Sequence, residues 1–498
     1  MISSRAIKQF LARPLDDLYA LKKASVAWID EQLKKVEFKT APRFSQKVGV
    51  TACLRCPGLV LLYDMGTGKT KIALDALRFW LGGGGKGRRA LVLVQNVVSV
   101  ESWLMEADKH ASDLDVAAVG TGWDVRQDDV CVATYAALLR ATTSSVTSKK
   151  GKSAWAIDKS KLQKVLGQFE CVVFDESTAL KSWQSLTFKV CRSFLRTTCF
   201  RLCMTGTPMG RDVQDLWAQF YVADGGEALG QTLGMFREAF FTTSKNYWGG
   251  YDYRFRPKQM SALHRMMAHS SLRYSIEECT DLPDRLYCER PISFGDEQHQ
   301  YYLAALERAR EASTAQEKGG GYMAMRMLAS GFAHVDDRYI DFEPNLKLDV
   351  LRGLMDEIGS VEKVVVFNTF VHSGELISRM LKEMGVGHSR IYSGTRDKPG
   401  ELRRFLSDPA CRVLVGNSSS TAMALNLQIA RYVIFYEAPN SPIVRDQAER
   451  RVWRPGQERT VIYYDLYVKG SIEQKLLQYL KSGRDLFEAI VNGQEGFV

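Results

Sequence analysis

Two short runs, far apart in a chain of 498 residues, carry side chains that could act together on a phosphate. The first is Asp64-Met65-Gly66-Thr67-Gly68-Lys69-Thr70. Gly66 and Gly68 allow backbone amides to approach phosphate oxygens, Lys69 can reach the outer phosphates of a nucleotide, and the Thr70 hydroxyl can ligate magnesium. Tyr63 occupies the position where the general phosphate-loop pattern has its first glycine. The second run, residues 447–457, reads Gln-Ala-Glu-Arg-Arg-Val-Trp-Arg-Pro-Gly-Gln. It can supply guanidinium groups to the same phosphate. Phosphoryl transfer needs a preorganised cradle, a metal and added positive charge around the terminal phosphate. Neither run is sufficient alone, so the expectation is a fold in which they meet.

A third run supplies acid. Cys171-Val172-Val173-Phe174-Asp175-Glu176 is an apolar strand that ends on two carboxylates. Taken alone, such a pair is a turn or helix cap. Following a phosphate loop, it reads as Asp175 in the metal's shell and Glu176 polarising water.

These residues need a scaffold. Leu59 to Asp64 is a buried-strand run leading into the glycine turn, and the apolar spacing from Lys71 to Trp80 predicts a helix. Further strands are expected at Ala90–Val94, Val130–Ala133, Cys171–Phe174 and Leu202–Met204, then at Lys363–Phe367, Arg412–Val415, Tyr432–Tyr436 and Val461–Tyr464. Their alternation with helical stretches predicts an α/β chain with two parallel-sheet lobes. The expected division is a helical extension over 1–40, a first lobe over 41–220, a helical insert over 221–361 and a second lobe over 362–498. Lys245 to Arg256 contains two aromatic runs around Gly249-Gly250, a hairpin signal. Its aromatic and basic residues suit nucleic acid, and cross-strand aromatic pairing accounts for them equally. The polar segment Thr142–Ser153, with Lys149, Lys150 and Lys152, reads as a solvated loop.

Composition narrows the class. The chain is 45% hydrophobic with a formal net charge of +10, an ordinary globular balance leaning towards a polyanionic partner. Its ten cysteines are dispersed, some within buried-strand runs, which predicts a reducing compartment. Cys53 and Cys56 form a lone CxxC pair without a second, and read as structural thiols rather than zinc ligands. No stretch of about 18 apolar residues is present, and the first residues lack the apolar core of a secretory signal, so no membrane association is expected.

In order, the motifs resemble those of the Swi/Snf-related DNA translocases among the superfamily-two helicase-like ATPases. Pro42-Arg43-Phe44-Ser45-Gln46 resembles that family's glutamine motif, Asp64–Thr70 its phosphate loop, Met204-Thr205-Gly206-Thr207-Pro208 its coupling segment, and residues 447–457 its final motif. Leu282-Pro283 followed by Gln298 and Tyr301 resembles the passage before the second lobe. The resemblance implies two RecA-like lobes, ATP and Mg2+ as nucleotide and metal, and hydrolysis coupled to translocation along double-stranded DNA. It implies an adenine contact from Gln46 and phosphate contacts from Gly66, Thr67, Gly68, Lys69 and Thr70. Asp175 would join Thr70 at the metal, Glu176 would serve the water, Arg454 would be the arginine finger and Arg451 a second phosphate contact. Coupling would run through Thr205, Gly206, Thr207 and Gln457. Nucleic-acid contacts are implied at Asn96, Val97, Ser99, Thr134, Tyr135, Thr369, Gly394, Thr395, Ser418 and Ser419.

The chain departs from the family pattern at Thr178, where a histidine is usual, and at Thr421, Ala422 and Ala424, where glycines are favoured. Two other readings compete: a strand-separating DNA or RNA helicase acting on forked or single-stranded DNA or on RNA, and a nucleic-acid-binding scaffold with a weakened motor. Arg445, Arg450 and Arg459 read as a solvated helix face, and Trp453 as packing between lobes. The compact layout suggests a bacterial or viral protein, hence cytoplasmic; a eukaryotic one would be nuclear.

Overall fold

The structure is a computed structural model and describes residues 4–82, 88–120, 122–123, 129–147, 153–206, 212–245, 250–392, 394–418, 426–483 and 486. It divides into two compact units, Met1–Thr280 and Asp281–Val498. The strands of the two main sheets are numbered in chain order. In the first unit these are β1 (Gly58–Tyr63), β2 (Ala90–Val94), β3 (Val116–Ala118), β4 (Val130–Thr134), β5 (Cys171–Asp175), β6 (Phe200–Met204) and β7 (Ser271–Tyr274). They form one sheet of order β7-β1-β6-β5-β2-β4-β3. Every pairing is parallel; Val60, for example, lies between Ser271 and Cys203.

Both faces of this sheet are covered, which explains why its central strands are continuous apolar runs rather than alternating ones. Val60, Leu62, Leu91, Leu93, Val172 and Phe174 project into a core shared with Leu138, Phe188, Phe220 and Phe236. Their neighbours Leu59, Leu61, Val92, Val94, Val173 and Leu202 project to the opposite face, against Val48, Ile72, Leu77 and Trp103. The N-terminal segment belongs to this unit: Phe10 joins the first core, Leu18, Leu21 and Ile29 join the second, and Leu18 N donates to Ala268 O at 2.9 Å.

In the second unit the strands are β8 (Arg285–Ile292), β9 (Val364–Asn368), β10 (Gly387–Ile391), β11 (Cys411–Asn417), β12 (Tyr432–Phe435) and β13 (Val461–Val468). They form an all-parallel sheet of order β8-β13-β12-β9-β11-β10. Helices Leu346–Ile358 and Val371–Glu383 cover one face through Leu351, Leu354, Ile377 and Leu381. Helices Asp296–Arg310, Ala315–Ala329 and Ile472–Lys481 build an adjoining core around Tyr302, Tyr322, Met325 and Leu476.

The expected strands are present, and the chain is α/β with two RecA-like parallel-sheet lobes. The stretch 221–361 is not one insert. β7 lies at the edge of the first sheet and β8 at the edge of the second, and the unit boundary falls between them at Thr280 and Asp281. The sequence conceals both. β7 is four residues long, and β8 is half exposed, with Leu286 and Tyr287 facing solvent as edge strands permit. Strands β3 and β10 escape notice for similar reasons, one having three residues and the other reading Gly-His-Ser-Arg-Ile.

One buried ion pair ties the second unit together. Lys347 Nζ lies 2.5 Å from Glu473 Oε1, both side chains are buried, and Glu473 Oε2 accepts from Val468 N at 3.2 Å. Removing one partner leaves an uncompensated charge in the interior. Glu473→Leu is therefore expected to destabilise the second unit by about 3–5 kcal/mol in chemical denaturation, and Lys347→Met with Glu473→Leu to recover most of that loss.

Candidate active site

The phosphate loop begins where β1 ends. Gly66 has φ 80° and Gly68 φ 88°, a left-handed backbone that glycine adopts without strain. A side chain at Gly68 would also collide with Gln46, whose Nε2 lies 2.1 Å from where a Cβ would stand. Helix Lys69–Trp80 starts at the next residue, so its first amides open at the loop. Lys69 Nζ donates to Tyr63 O at 2.8 Å and Asp64 O at 3.1 Å, and the Thr67 hydroxyl donates to Asp64 O at 2.7 Å. Thr67 O accepts from Arg43 Nη2 at 2.8 Å and Gln46 Nε2 at 3.3 Å. Gln46 is 5% exposed, and its Oε1 accepts from Arg43 N. In this state its amide braces the loop. Tyr63, in the first-glycine position, is buried and donates to Ser45 O at 2.8 Å, which ties the loop's strand to the helix carrying Gln46.

Strand β5 delivers the carboxylates at the same end of the sheet. Asp175 Oδ2 accepts from the indole of Trp103 at 2.8 Å, Oδ1 accepts from Glu176 N at 3.0 Å, and Asp175 O accepts from the Tyr135 phenol at 3.0 Å. Glu176 sits at φ 49° and ψ 59°, an uncommon conformation for a residue with a side chain. Its Oε2 accepts from the Thr205 hydroxyl at 3.4 Å, which joins the end of β5 to the segment after β6. Thr178 lies in the turn Ser177–Leu180, where its hydroxyl is 3.5 Å from Glu176 O, while Ser177 donates to Gln219 Oε1 at 2.9 Å. Gly206 packs where a Cβ would stand 3.3 Å from Met65 N, close to the loop. Thr207 lies outside the described residues.

The donor set suits a hard divalent cation: the Thr70 hydroxyl in the first helical turn and the Asp175 carboxylate, beside a loop whose left-handed glycines carry no side chains. Among the described residues no group of three or more metal-binding side chains is assembled, and burial raises the Cys56 thiol to about 11.

Of the residues expected to face nucleic acid in the first unit, Asn96 and Thr134 are helix caps. Asn96 Oδ1 accepts from Ser99 N at 2.9 Å and caps helix Val97–His110; Thr134 Oγ1 accepts from Ala137 N at 3.1 Å and caps helix Tyr135–Thr142. Ser99 is buried and Val97 is 66% exposed. Tyr135 is 6% exposed and its phenol is spent on Asp175 O, so its side chain is an internal strut, not an outward contact.

In the second unit, Thr369 lies beyond β9. Its N–H donates to the buried Glu437 at 2.6 Å, its hydroxyl accepts from Arg326 at 3.3 Å, and its carbonyl accepts from Asn417 at 2.8 Å. Thr395 accepts from Tyr392 N at 3.2 Å, and Gly394 beside it is exposed. Ser418 is 2% exposed; Ser419, Thr421, Ala422 and Ala424 lie outside the described residues.

The arginine run divides by role. Arg445 is held by Glu449 at 2.6 Å and by Asp465, and stacks on Phe435 at 3.5 Å. Burial opposes its charge, but the two carboxylates outweigh burial and hold it protonated beyond the ordinary arginine range. Arg450 pairs with Asp446 and Arg459 with Glu362. The expected solvated face is thus partly an internal ion network. Arg451 is on helix Pro442–Val452 and Arg454 two residues beyond its end, both partly exposed. Trp453 is buried inside this unit, donating to Pro283 O at 2.6 Å beneath Arg285. Gln457 Nε2 donates to Gln428 O at 2.9 Å and Ala430 O at 2.8 Å, fixing the turn that follows Arg454.

Sequence reasoning assigned no role to Trp103, Arg43, Glu437 or Arg326. Trp103 occupies an ordinary apolar position of a helix, and only the fold reveals the carboxylate opposite its N–H. Arg43 was visible within the glutamine motif but carries no signal that its guanidinium reaches Thr67 O.

Comparison with known proteins gives two domain matches: the SNF2-related domain over residues 22–334 and the helicase conserved C-terminal domain over 346–456. Over 349 residues the chain is 24% identical to the CHD3-type chromatin-remodeling factor PICKLE of Arabidopsis thaliana, covering 65% of the chain and 24% of that protein. It is 23% identical over 452 residues to the putative ATP-dependent helicase/translocase YwqA of Bacillus subtilis, covering 88% of the chain and 47% of that protein. The chain therefore spans less than half the length of either relative. A solved structure of the Sulfolobus solfataricus SWI2/SNF2 ATPase core in complex with dsDNA matches 92% of the chain and 94% of its own, at 22% identity and a TM-score of 0.42.

The Trp103–Asp175 bond is open to test. A group that orients a metal ligand changes metal affinity or activity by roughly 10–100-fold when lost. Trp103→Phe keeps an aromatic ring but removes the donor and some buried volume; with Asp175 as a metal ligand it is expected to raise the magnesium concentration giving half-maximal nucleotide turnover by about tenfold or more, measured well below a thermal midpoint that the lost packing lowers.

Proposed function

The chain belongs to the SNF2-related family of helicase-like ATPases, and on that premise we propose that it hydrolyses ATP to move along duplex DNA, displacing or remodelling what is bound there, without obligatory strand separation. One observation carries this reading. The phosphate loop, the Asp175–Glu176 pair, Thr205 and the capped amino-terminal ends of two helices all emerge at the carboxyl end of the first sheet.

In this proposal the amides of Gly66, Thr67 and Gly68 and the Lys69 ammonium cradle the phosphates, and Gln46 turns from the loop to adenine. Mg2+, bound by Thr70 and Asp175, would neutralise charge on the phosphate oxygens. Trp103 and the Glu176 amide hold Asp175 in one orientation. Glu176 accepts a hydrogen bond from the attacking water and orients it. The family resemblance assigns Arg451 and Arg454 the role of adding positive charge at the terminal phosphate. Thr205 senses the state of Glu176 through the bond between them, a route to Gly206 and the coupling segment that does not use a histidine at position 178. That route supports an intact motor over a scaffold with a weakened one.

DNA contacts fall on phosphates. The helices that start after Asn96 and Thr134 present the positive end of their dipoles at the carboxyl end of the sheet, with the Ser99 and Ala137 amides held by the caps, and that positive end favours anions without reading bases. In the second lobe the proposed contacts are Thr395 and Ser419, with Thr369 and Ser418 joining them only after their loops rearrange, because Thr369 is engaged by Glu437, Arg326 and Asn417 and Ser418 is 2% exposed; Gln457 steadies the turn behind Arg454. Binding of this type is tolerant of sequence and sensitive to salt.

The decisive experiment compares ATP turnover with no nucleic acid, single-stranded DNA, duplex DNA, forked DNA and RNA, alongside unwinding and triplex-displacement assays. Duplex DNA is expected to stimulate most, with triplex displacement and no unwinding; unwinding, or a preference for RNA or single strands, would establish the helicase alternative instead. Glu176→Gln is expected to bind ATP and fail to cleave it, and Arg454→Ala to bind ATP with turnover reduced by about a thousandfold, both read from single-turnover hydrolysis beside nucleotide-binding titrations.

A further inference from the structure

We propose that the antiparallel arms Phe241–Lys245 and Tyr251–Phe255 form an additional contact to the duplex DNA backbone, lying outside the helix-cap contacts. This rests on the DNA-translocase reading above.

The arms pair in register from Phe241 with Phe255 at the root to Lys245 with Tyr251 at the outer end. Their root is firmly held. Phe241 is buried, Phe255 packs edge-on to it at 5.7 Å, Arg256 N donates to Phe240 O at 2.8 Å, and the Arg237 guanidinium lies 4.0 Å from the centre of the Tyr253 ring. Four further residue steps at about 3.3 Å each carry Lys245 and Tyr251 roughly 13 Å beyond that root.

Their direction follows from the elements on either side. Helix Asp215–Asp224 runs from the segment after β6 down to the start of β1, where a Cβ on Gly58 would stand 2.4 Å from Ala223 O. The chain then climbs back along helix Leu233–Phe240, and Arg237 Nε donates to Gln214 Oε1 at 2.7 Å, level with the start of the descending helix. Afterwards helix Met260–Met267 returns to Ser271, which pairs with Val60 near the start of β1. The arms therefore leave the unit at the carboxyl end of the sheet, the end that bears the phosphate loop and the helix caps at Asn96 and Thr134.

Aromatic pairing explains the root of this hairpin but not its outer end. Tyr251 is 56% exposed and stands opposite Lys245, not opposite another ring. Lys245 projects from the same face of the ribbon as Tyr251, Arg254 projects from the other face with Asp252, Arg256 donates to Glu238 O at 3.2 Å, and Lys258 follows the second arm. An exposed tyrosine beside a lysine on one face and an arginine on the other, on a ribbon at the carboxyl end of the sheet, matches the chemistry of a sugar-phosphate chain: ammonium and guanidinium to phosphate oxygens, a phenol donating to phosphate or lying on sugar.

Each phosphate contact contributes about −0.9 to the slope of log K against log salt. Lys245→Glu with Arg254→Glu is expected to flatten that slope by about two and to weaken duplex binding by about tenfold or more, while turnover without DNA and the thermal midpoint stay at wild-type values. Tyr251→Ala is expected to weaken duplex binding with the slope unchanged, and Thr243→Lys, which adds a charge on the face that carries Lys245 and Tyr251, to tighten it. Wild-type slope and affinity in both the double variant and Thr243→Lys would overturn this contact alone, provided that wild-type turnover is stimulated by duplex DNA. Absence of that stimulation in the wild type would overturn the translocase reading and this contact with it.

Discussion

A parallel sheet cannot be built from hairpins. Each strand must be followed by a crossover that returns the chain to the opposite end, and these crossovers are helices covering the faces. Thirteen strands in two sheets obey this constraint here, so within each unit every strand ends at the same edge. Loops that are distant in sequence become neighbours for that reason alone. Tyr63, Phe174 and Met204 come last or nearly last in β1, β5 and β6, and the residues after them are the phosphate loop, the paired carboxylates and the coupling threonine.

Adjacency alone does not orient a side chain. Asp175 is held from three sides, by an indole N–H, by the following amide and, through its carbonyl, by a buried phenol. A hydrogen bond to a charged group contributes about 1.5–3 kcal/mol, and one whose donor is a buried tryptophan leaves that donor unsatisfied if the carboxylate moves. The same logic governs the loop, where Arg43 and Gln46 converge on Thr67 O and Lys69 on two carbonyls of its own strand end. The loop is therefore braced by residues of the motifs themselves, and Asp175 by Trp103 and Tyr135, which lie outside the motif that announces it.

The second unit repeats the device with a buried carboxylate as its hub. Glu437 accepts from Thr369 N, Phe370 N and the Ser373 hydroxyl at the start of helix Val371–Glu383, where the helix dipole favours negative charge. Arg326, fully buried on the helix Ala315–Ala329, reaches Thr369, Ala438 O and Asn440. The arginine-rich helix works similarly: Arg445 is locked between Glu449 and Asp465, fixing the helix that carries Arg451. A run that looks like uniform charge thus contains Arg445, a structural arginine held between two carboxylates.

Central strands could be read directly because burial on both faces demands unbroken apolar runs, and the phosphate loop and the acidic pair because few residue types can do their chemistry. Edge strands β3, β7, β8 and β10 could not, since half exposure or shortness leaves no period, and so the division of 221–361 between two units was hidden. Composition and local spacing determined that this is an α/β chain with a nucleotide loop, paired carboxylates and an arginine-rich final motif. Only the tertiary structure decided that Tyr135 points inward, that Trp103 faces Asp175 and that Gln46 lies against Thr67. The reason is physical. A motif records which atoms the chemistry needs, whereas the partner that fixes each atom is chosen by packing between elements far apart in the chain, and any residue of suitable shape with one well-placed donor can fill that role.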